Sequence, residues 1–98
     1  MDFLTQADLT GRLRGLVILL DEKIGVEQSR RADELIDASE FGVVLETLAG
    51  WLSEDGTPLP EDLRRDFDRL ATQIGNRDRV MGLLSLSPPE VSPDEHRP

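Results

Sequence analysis

Leu9, Leu13, Leu16, Leu20 and Ile24 recur at spacings of three and four residues, with Val17 beside them. That spacing places one apolar stripe on a helix from Leu4 or Ala7 to Lys23, which Gly25 ends. A second helix is expected over Glu27 to Ala38, turning Ala32, Leu35 and Ile36 inward. Phe41, Leu45, Leu48 and Leu52 give a third stripe in the segment up to Ser53. The Asp55-Gly56-Thr57-Pro58 turn follows. Pro60 suits the first position of a fourth helix, whose positive end Glu61 and Asp62 meet and whose stripe is Leu63, Phe67, Leu70 and Ile74. Gly75-Asn76 closes it. Alternation of strand-forming residues is not found, although the weak helix formers Val43 and Val44 are a place for a local irregularity. The expected fold is all-α, a small four-helix domain with short links.

Val80, Met81, Leu83, Leu84 and Leu86 are apolar enough for a short helix or a packed strap, and the strap over the bundle is the expected role. Beyond Leu86 the composition turns to Pro, Ser and charge, with too little apolar material to hold itself in place. The domain is therefore expected over residues 1–86, with a disordered Pro-rich tail over 87–98. No internal repeat is found.

Charge sharpens the picture. The segment from Ala32 to Leu63 has no Lys or Arg, yet it holds Asp33, Glu34, Asp37, Glu40, Glu46, Glu54, Asp55, Glu61 and Asp62, which together equal the formal net charge of -9. The rest of the chain is balanced. Acidity gathered on one stretch points to a basic partner rather than to solubility alone. The same charge repels phosphates and anionic lipid, so direct binding to nucleic acid or membrane is not expected.

At 98 residues the chain has room for one domain that buries between about 60 and 68% of its extended surface, a modest core without a deep pocket. No cofactor is expected. With no cysteine, disulfides, thiol catalysis and cysteine-ligated metal centres are excluded. The opening Asp2 and a longest apolar run of only Leu16 to Leu20 give the expectation of no signal peptide, no membrane span and a cytoplasmic location.

Catalysis finds little support. His96, the only histidine, falls in the expected tail, where it is not held within reach of a reacting group. Neither a nucleophile elbow nor a phosphate loop occurs. Asp33 with Asp37, and Asp62 with Asp66, lie one turn apart, but without the Glu-x-x-His partner or calcium-loop spacing that would make them ligands. No enzyme activity and no metal site are expected. The paired glycine positions Gly42-Val43 and Gly50-Trp51 suit close helix packing or bending.

On the second helix Asp33 and Asp37 point away from Leu35 and Ala32, free to face a partner. Arg30 is placed to offset them through Asp33 or Glu34. On the fourth helix Glu61-Arg65 and Arg64-Asp68 are spaced as ion pairs, a solubilising face. Recognition is therefore expected on Asp33, Asp37, Glu40 and Glu46, with Glu54 and Asp55 extending the acidic edge. Trp51 lies at the margin of the third stripe, where core packing is its ordinary role and an apolar interface centre the alternative. Ile18 projects opposite the first helix's main stripe, toward the strap or toward a homodimer.

The stretch from Glu34 to Leu48 resembles the central motif of the Maf-type immunity proteins, small cytoplasmic inhibitors encoded beside bacterial polymorphic toxins. Glu34-Leu35-Ile36 resembles that family's ELI-type helix end, Glu40-Phe41-Gly42 its acidic and aromatic turn, and Leu45-Glu46 with Leu48 its LE-x-L segment. Leu59-Pro60-Glu61, followed by Leu63 and Phe67, is similar to the start of its last long helix. Val43 and Val44 stand where Ala is more usual, and the Pro-rich end departs from shorter members. The resemblance implies a cytoplasmic immunity protein that neutralises a cognate toxin, and with the acidic segment it suggests a basic nuclease. The alternative is a helical adaptor or transcription-associated regulator, with homodimerisation left open.

Overall fold

In the computed structural model, which describes residues 3–88, the chain forms α1 (Phe3–Leu19), α2 (Val26–Asp37), α3 (Phe41–Glu54), α4 (Glu61–Ile74) and α5 (Arg77–Leu84). The domain is all-α. Four long helices fall where the stripes predict them, and α5 is the segment read as a short helix or strap. Each stripe supplies the core: Leu9, Leu13, Leu16 and Leu20 from the α1 region, Phe41, Leu45, Leu48 and Leu52 from α3, and Leu63, Phe67 and Leu70 from α4 are all buried. Val80 and Leu84 of α5 complete it. Helix α3 is the most apolar along its length and packs against each of the other four. It runs unbroken through the β-branched pair, burying Val44 and leaving Val43 exposed.

The ends of the helices explain the links. Helix α1 stops at Leu19, earlier than Lys23, because the backbone tightens: Asp21 N–H donates to the Ile18 carbonyl (3.2 Å) and Lys23 N–H to that of Leu20 (2.7 Å). Leu20 and Ile24 stay buried through this turn, so the periodicity outlasts the helix. Gly25 N–H then donates to the Gln28 side chain (3.1 Å) as α2 begins. At the far end of α2, Glu40 N–H reaches the Leu35 carbonyl and Ser39 N–H that of Ile36, both at 2.9 Å. This closure needs a left-handed residue, and the chain supplies Ser39 at φ 59°. Helix α4 closes the same way with Gly75 at φ 106°, while Pro60 caps its start from an extended conformation, one position before the helix proper. Gly42 lets α3 approach the α4–α5 link closely, since a Cβ there would meet the Asn76 amide nitrogen at 3.3 Å; Gly50 has no such neighbour.

Packing continues past Leu86. Ser87 is only 4% exposed, and the Pro88 carbonyl accepts from the N–H of buried Leu59 in the α3–α4 link (2.9 Å). The remainder of the expected tail, including His96, lies outside the described residues. Arg64 fastens this strap: its guanidinium donates to the carbonyls of Leu84 (2.8 Å) and Ser87 (3.0 Å). The expected Arg64–Asp68 pair is therefore replaced. Arg64 joins the Ser87 N–H on the Leu84 carbonyl (2.9 Å from Ser87) and adds the Ser87 carbonyl, while Asp68 turns to Arg77, which grips both carboxylate oxygens at 2.6 and 3.2 Å.

Candidate functional site

The candidate recognition residues separate into three places. Asp33, Asp37 and Glu40 lie along the last turns of α2 and the link to α3. Asp33 is half-buried, whereas Asp37 and Glu40 are exposed. Asp37 is ion-paired with Arg14 of α1, a contact between helices that the linear charge pattern does not show. Arg30 and Arg31 turn to Glu27 and Glu34 (3.5 Å each), so the offset of Asp33 by Arg30 is not made.

Glu46 stands apart. Its side chain is 29% exposed and faces α5, where one carboxylate oxygen accepts from Arg79 (2.8 Å) and the other from the Asn76 amide (3.2 Å). The same amide donates to the Gly42 carbonyl (3.1 Å), so Asn76 ties the α4–α5 link to the first turn of α3. Nothing in the periodicity of α3 distinguishes Glu46 from an outward acid; the signal lay in Asn76 and Arg79, three positions apart at the opening of α5.

Trp51, Glu54 and Asp55 form the third place, at the end of α3. Glu40 and Glu54 are fourteen positions apart, a helix length of about 21 Å, so the acidic edge runs the whole length of α3 rather than gathering at one point. Trp51 is half-buried and packs on the core, with its remaining surface one turn from Glu54 and Asp55. The short α3–α4 link returns Glu61 and Asp62 to this same end of the domain. Glu61 meets Arg65 only at 3.9 Å, and Asp62 has no ion pair among the described residues. Asp62 is thus an addition to the expected set, legible in the Gly56-Thr57-Pro58 turn that reverses the chain between two acidic pairs.

Asp33, Glu40, Glu54, Asp55 and Asp62 all lack an ion pair among the described residues, so their charge is available to a partner. Asp68 is held below the ordinary Asp range by the hydrogen bond from Arg77, with burial opposing and the Arg77 charge assisting. It belongs to the α4–α5 contact. No group of three His, Cys, Asp or Glu residues among those described is placed to hold a metal. None of the described helices is long and apolar enough to cross a membrane.

No family model, curated protein or solved structure matches the chain. The site offers unpaired carboxylates strung along α2, α3 and the start of α4, with a half-buried indole at one end. Such a surface attracts and orients cationic groups.

Proposed function

We propose that this protein is an immunity-type inhibitor that binds and neutralises a cognate bacterial toxin, a basic nuclease domain, in the cytoplasm. It acts by association and carries out no catalysis. The observation that supports this most is the combination of charge and pairing. The Ala32 to Leu63 segment contains the full excess of -9, and five of its carboxylates, Asp33, Glu40, Glu54, Asp55 and Asp62, are left unpaired by the fold among the described residues. A nuclease gathers positive groups around a phosphate substrate, and an acidic surface competes for the same region. Trp51 supplies an apolar contact beside the acids at one end, the kind of residue whose truncation weakens complexes. Asp37 and Glu46 join an interface only by exchanging Arg14 and Arg79 for a partner's cations.

Co-expression tests the proposal. The protein should protect cells from the product of the adjacent toxin gene and should be recovered in complex with it. Absence of both protection and complex overturns the reading. The adaptor alternative draws on a different feature, the exposure of Ile18 and Leu19 at 73% and 58%. It predicts a bound partner whose activity is unchanged.

A further inference from the structure

Helix α1 has two apolar faces. One is the buried stripe from Leu9 to Leu20. The other looks outward: Ala7, Gly11, Gly15 and Ile18 share it by helical spacing, with Leu19 at its edge, and the two charged residues that fall on or beside it, Asp8 and Arg14, are engaged by Arg12 and Asp37. Ala7, Gly11, Ile18 and Leu19 are exposed, in a chain of which 32% is charged. A helix on the outside of a small domain ordinarily carries its polar residues on this side.

The fold gives no reason for the two glycines. A Cβ at Gly11 or Gly15 would meet nothing within 4 Å, and glycine inside a helix costs about 1 kcal/mol relative to alanine. What the glycines leave is a flat strip with a groove along each side. On the α4 side a groove of about 420 Å³ has Gly15, Leu16, Leu19 and Leu70 along it and Asp66 at its rim. On the α2 side a groove of about 360 Å³ is lined by Val17, Ile18 and Ser29, with Asp21 and Asp33 at its rim.

Rim charge identifies the occupant. Arg12 and Arg14, the cations bordering the grooves, are engaged by Asp8 with Gln73 and by Asp37. Asp21, Asp33 and Asp66 have no ion pair among the described residues, and Asp21 accepts only from the Ser29 hydroxyl (3.4 Å). A second copy of the chain would bring like rims together on molecules that each carry -9. The geometry points to an amphipathic helix of another protein, with an apolar ridge that lies on Gly11 and Gly15 and with Lys or Arg flanks that meet Asp33 and Asp66. Small residues at the crossing let the two backbones approach. Apart from Asp33, this surface is separate from the residues assigned to inhibition, and the inference does not depend on that assignment.

The test uses the full chain and two synthetic helical peptides with the same Leu/Ala ridge, one flanked by Lys and one by Glu, with binding read by fluorescence anisotropy. The Lys-flanked peptide should bind at least about tenfold more tightly, a difference of about 1.4 kcal/mol. Gly11→Gln with Gly15→Gln should weaken it by a further factor of about ten while raising the melting temperature, because both side chains enter open space and glutamine is the better helix former. Thr72→Gln, on the exposed side of α4, is the control and should leave binding unchanged. Asp33→Asn with Asp66→Asn should weaken binding without affecting the melting temperature in the same direction as the glycine changes. Equal binding of the two peptides, or unchanged binding by the glycine double variant, overturns the inference. So does a wild-type dimer in light scattering that the glycine changes dissolve, which would give the face to a second copy. Markedly tighter peptide binding by a chain ending at Pro88 also overturns it, giving the face to the chain's own terminal segment.

Discussion

Replacing Arg64 with methionine separates a structural arginine from a decorative one on adjacent positions of the same helix. Methionine keeps much of the aliphatic stem and removes the two hydrogen bonds to the Leu84 and Ser87 carbonyls. A hydrogen bond from a charged donor is worth about 1.5–3 kcal/mol. Two would give about twice that, but the acceptors lie at the open end of α5, where water recovers part of the loss. We therefore expect about 2–3 kcal/mol for Arg64→Met, mostly from unmade bonds at partly buried carbonyls. Arg65→Met removes the same charge from the next residue, yet its pairing with Glu61 is long (3.9 Å) and exposed. It should cost less than about 0.5 kcal/mol. For a domain of this size each kcal/mol shifts the melting temperature by roughly 4–8 °C, so thermal unfolding followed by circular dichroism should separate the variants by about 6 °C or more. Arg64→Lys should recover only part of the loss, because one ammonium does not reproduce the fork. Equal losses for the Met variants at 64 and 65 would refute the assignment of Arg64 as the clasp of the strap.

Ser39→Gly should stabilise the domain by about 1 kcal/mol, since a left-handed residue at that position costs an L-side chain strain that glycine lacks; the urea midpoint should rise. Gly75→Ala should do the opposite by a similar amount of about 1 kcal/mol, measured in the same way, because φ is 106° there. Asn76→Ala loses the bonds to Gly42 and Glu46 but also removes an amide oxygen that is buried without a partner. The net cost should be about 1 kcal/mol by chemical denaturation rather than the sum of two bonds. Asp68 has a folded-state pKa below its unfolded value of 3.8, so its pairing with Arg77 stabilises the fold above that value and is lost as pH falls through the lower, folded-state one. The stability difference between wild type and Asp68→Asn, read from urea midpoints, should therefore narrow between about pH 7 and about pH 2.

The helices were legible because each apolar stripe has a matching partner to bury it, and leucines at spacings of three and four leave little freedom of interpretation. Boundaries depended on chemistry that periodicity does not carry. The α1 stripe continues through Leu20 and Ile24 although the backbone has left the helix, so pattern alone lengthened α1. Charge pairing was the least legible. Arg64 and Asp68 have ideal i,i+4 spacing, but the end of α5 and Arg77 offer each a better partner from another element. Glu46 reads as an outward acid until α5 folds over it, and Asp37 as a free one until α1 brings Arg14 alongside. What local sequence did convey was the unpaired acid at Glu54 and Asp55, where no cation lies within helical reach; Asp62, with Arg65 three residues on, joined them only when the fold left it without an ion pair among the described residues. The outward apolar face of α1 was visible in part through Ile18, whereas Gly11 and Gly15 gained meaning only when the space above them proved empty.

The central claim is that the unpaired carboxylates recognise a basic toxin, and calorimetric titration of the product of the adjacent gene with the wild type and charge-reversed variants tests it most directly. Glu40, Glu54, Asp55 and Asp62 would be replaced together by Lys, and Arg65 with Glu61 exchanged as the control. The account predicts a stoichiometric wild-type complex that weakens as salt rises through the range where the screening length falls below about 10 Å. It predicts a large loss of affinity for the fourfold variant, with its helicity intact, and little change for the control. A complex of unchanged affinity in the folded fourfold variant, or no complex with the wild type at low salt, would contradict it.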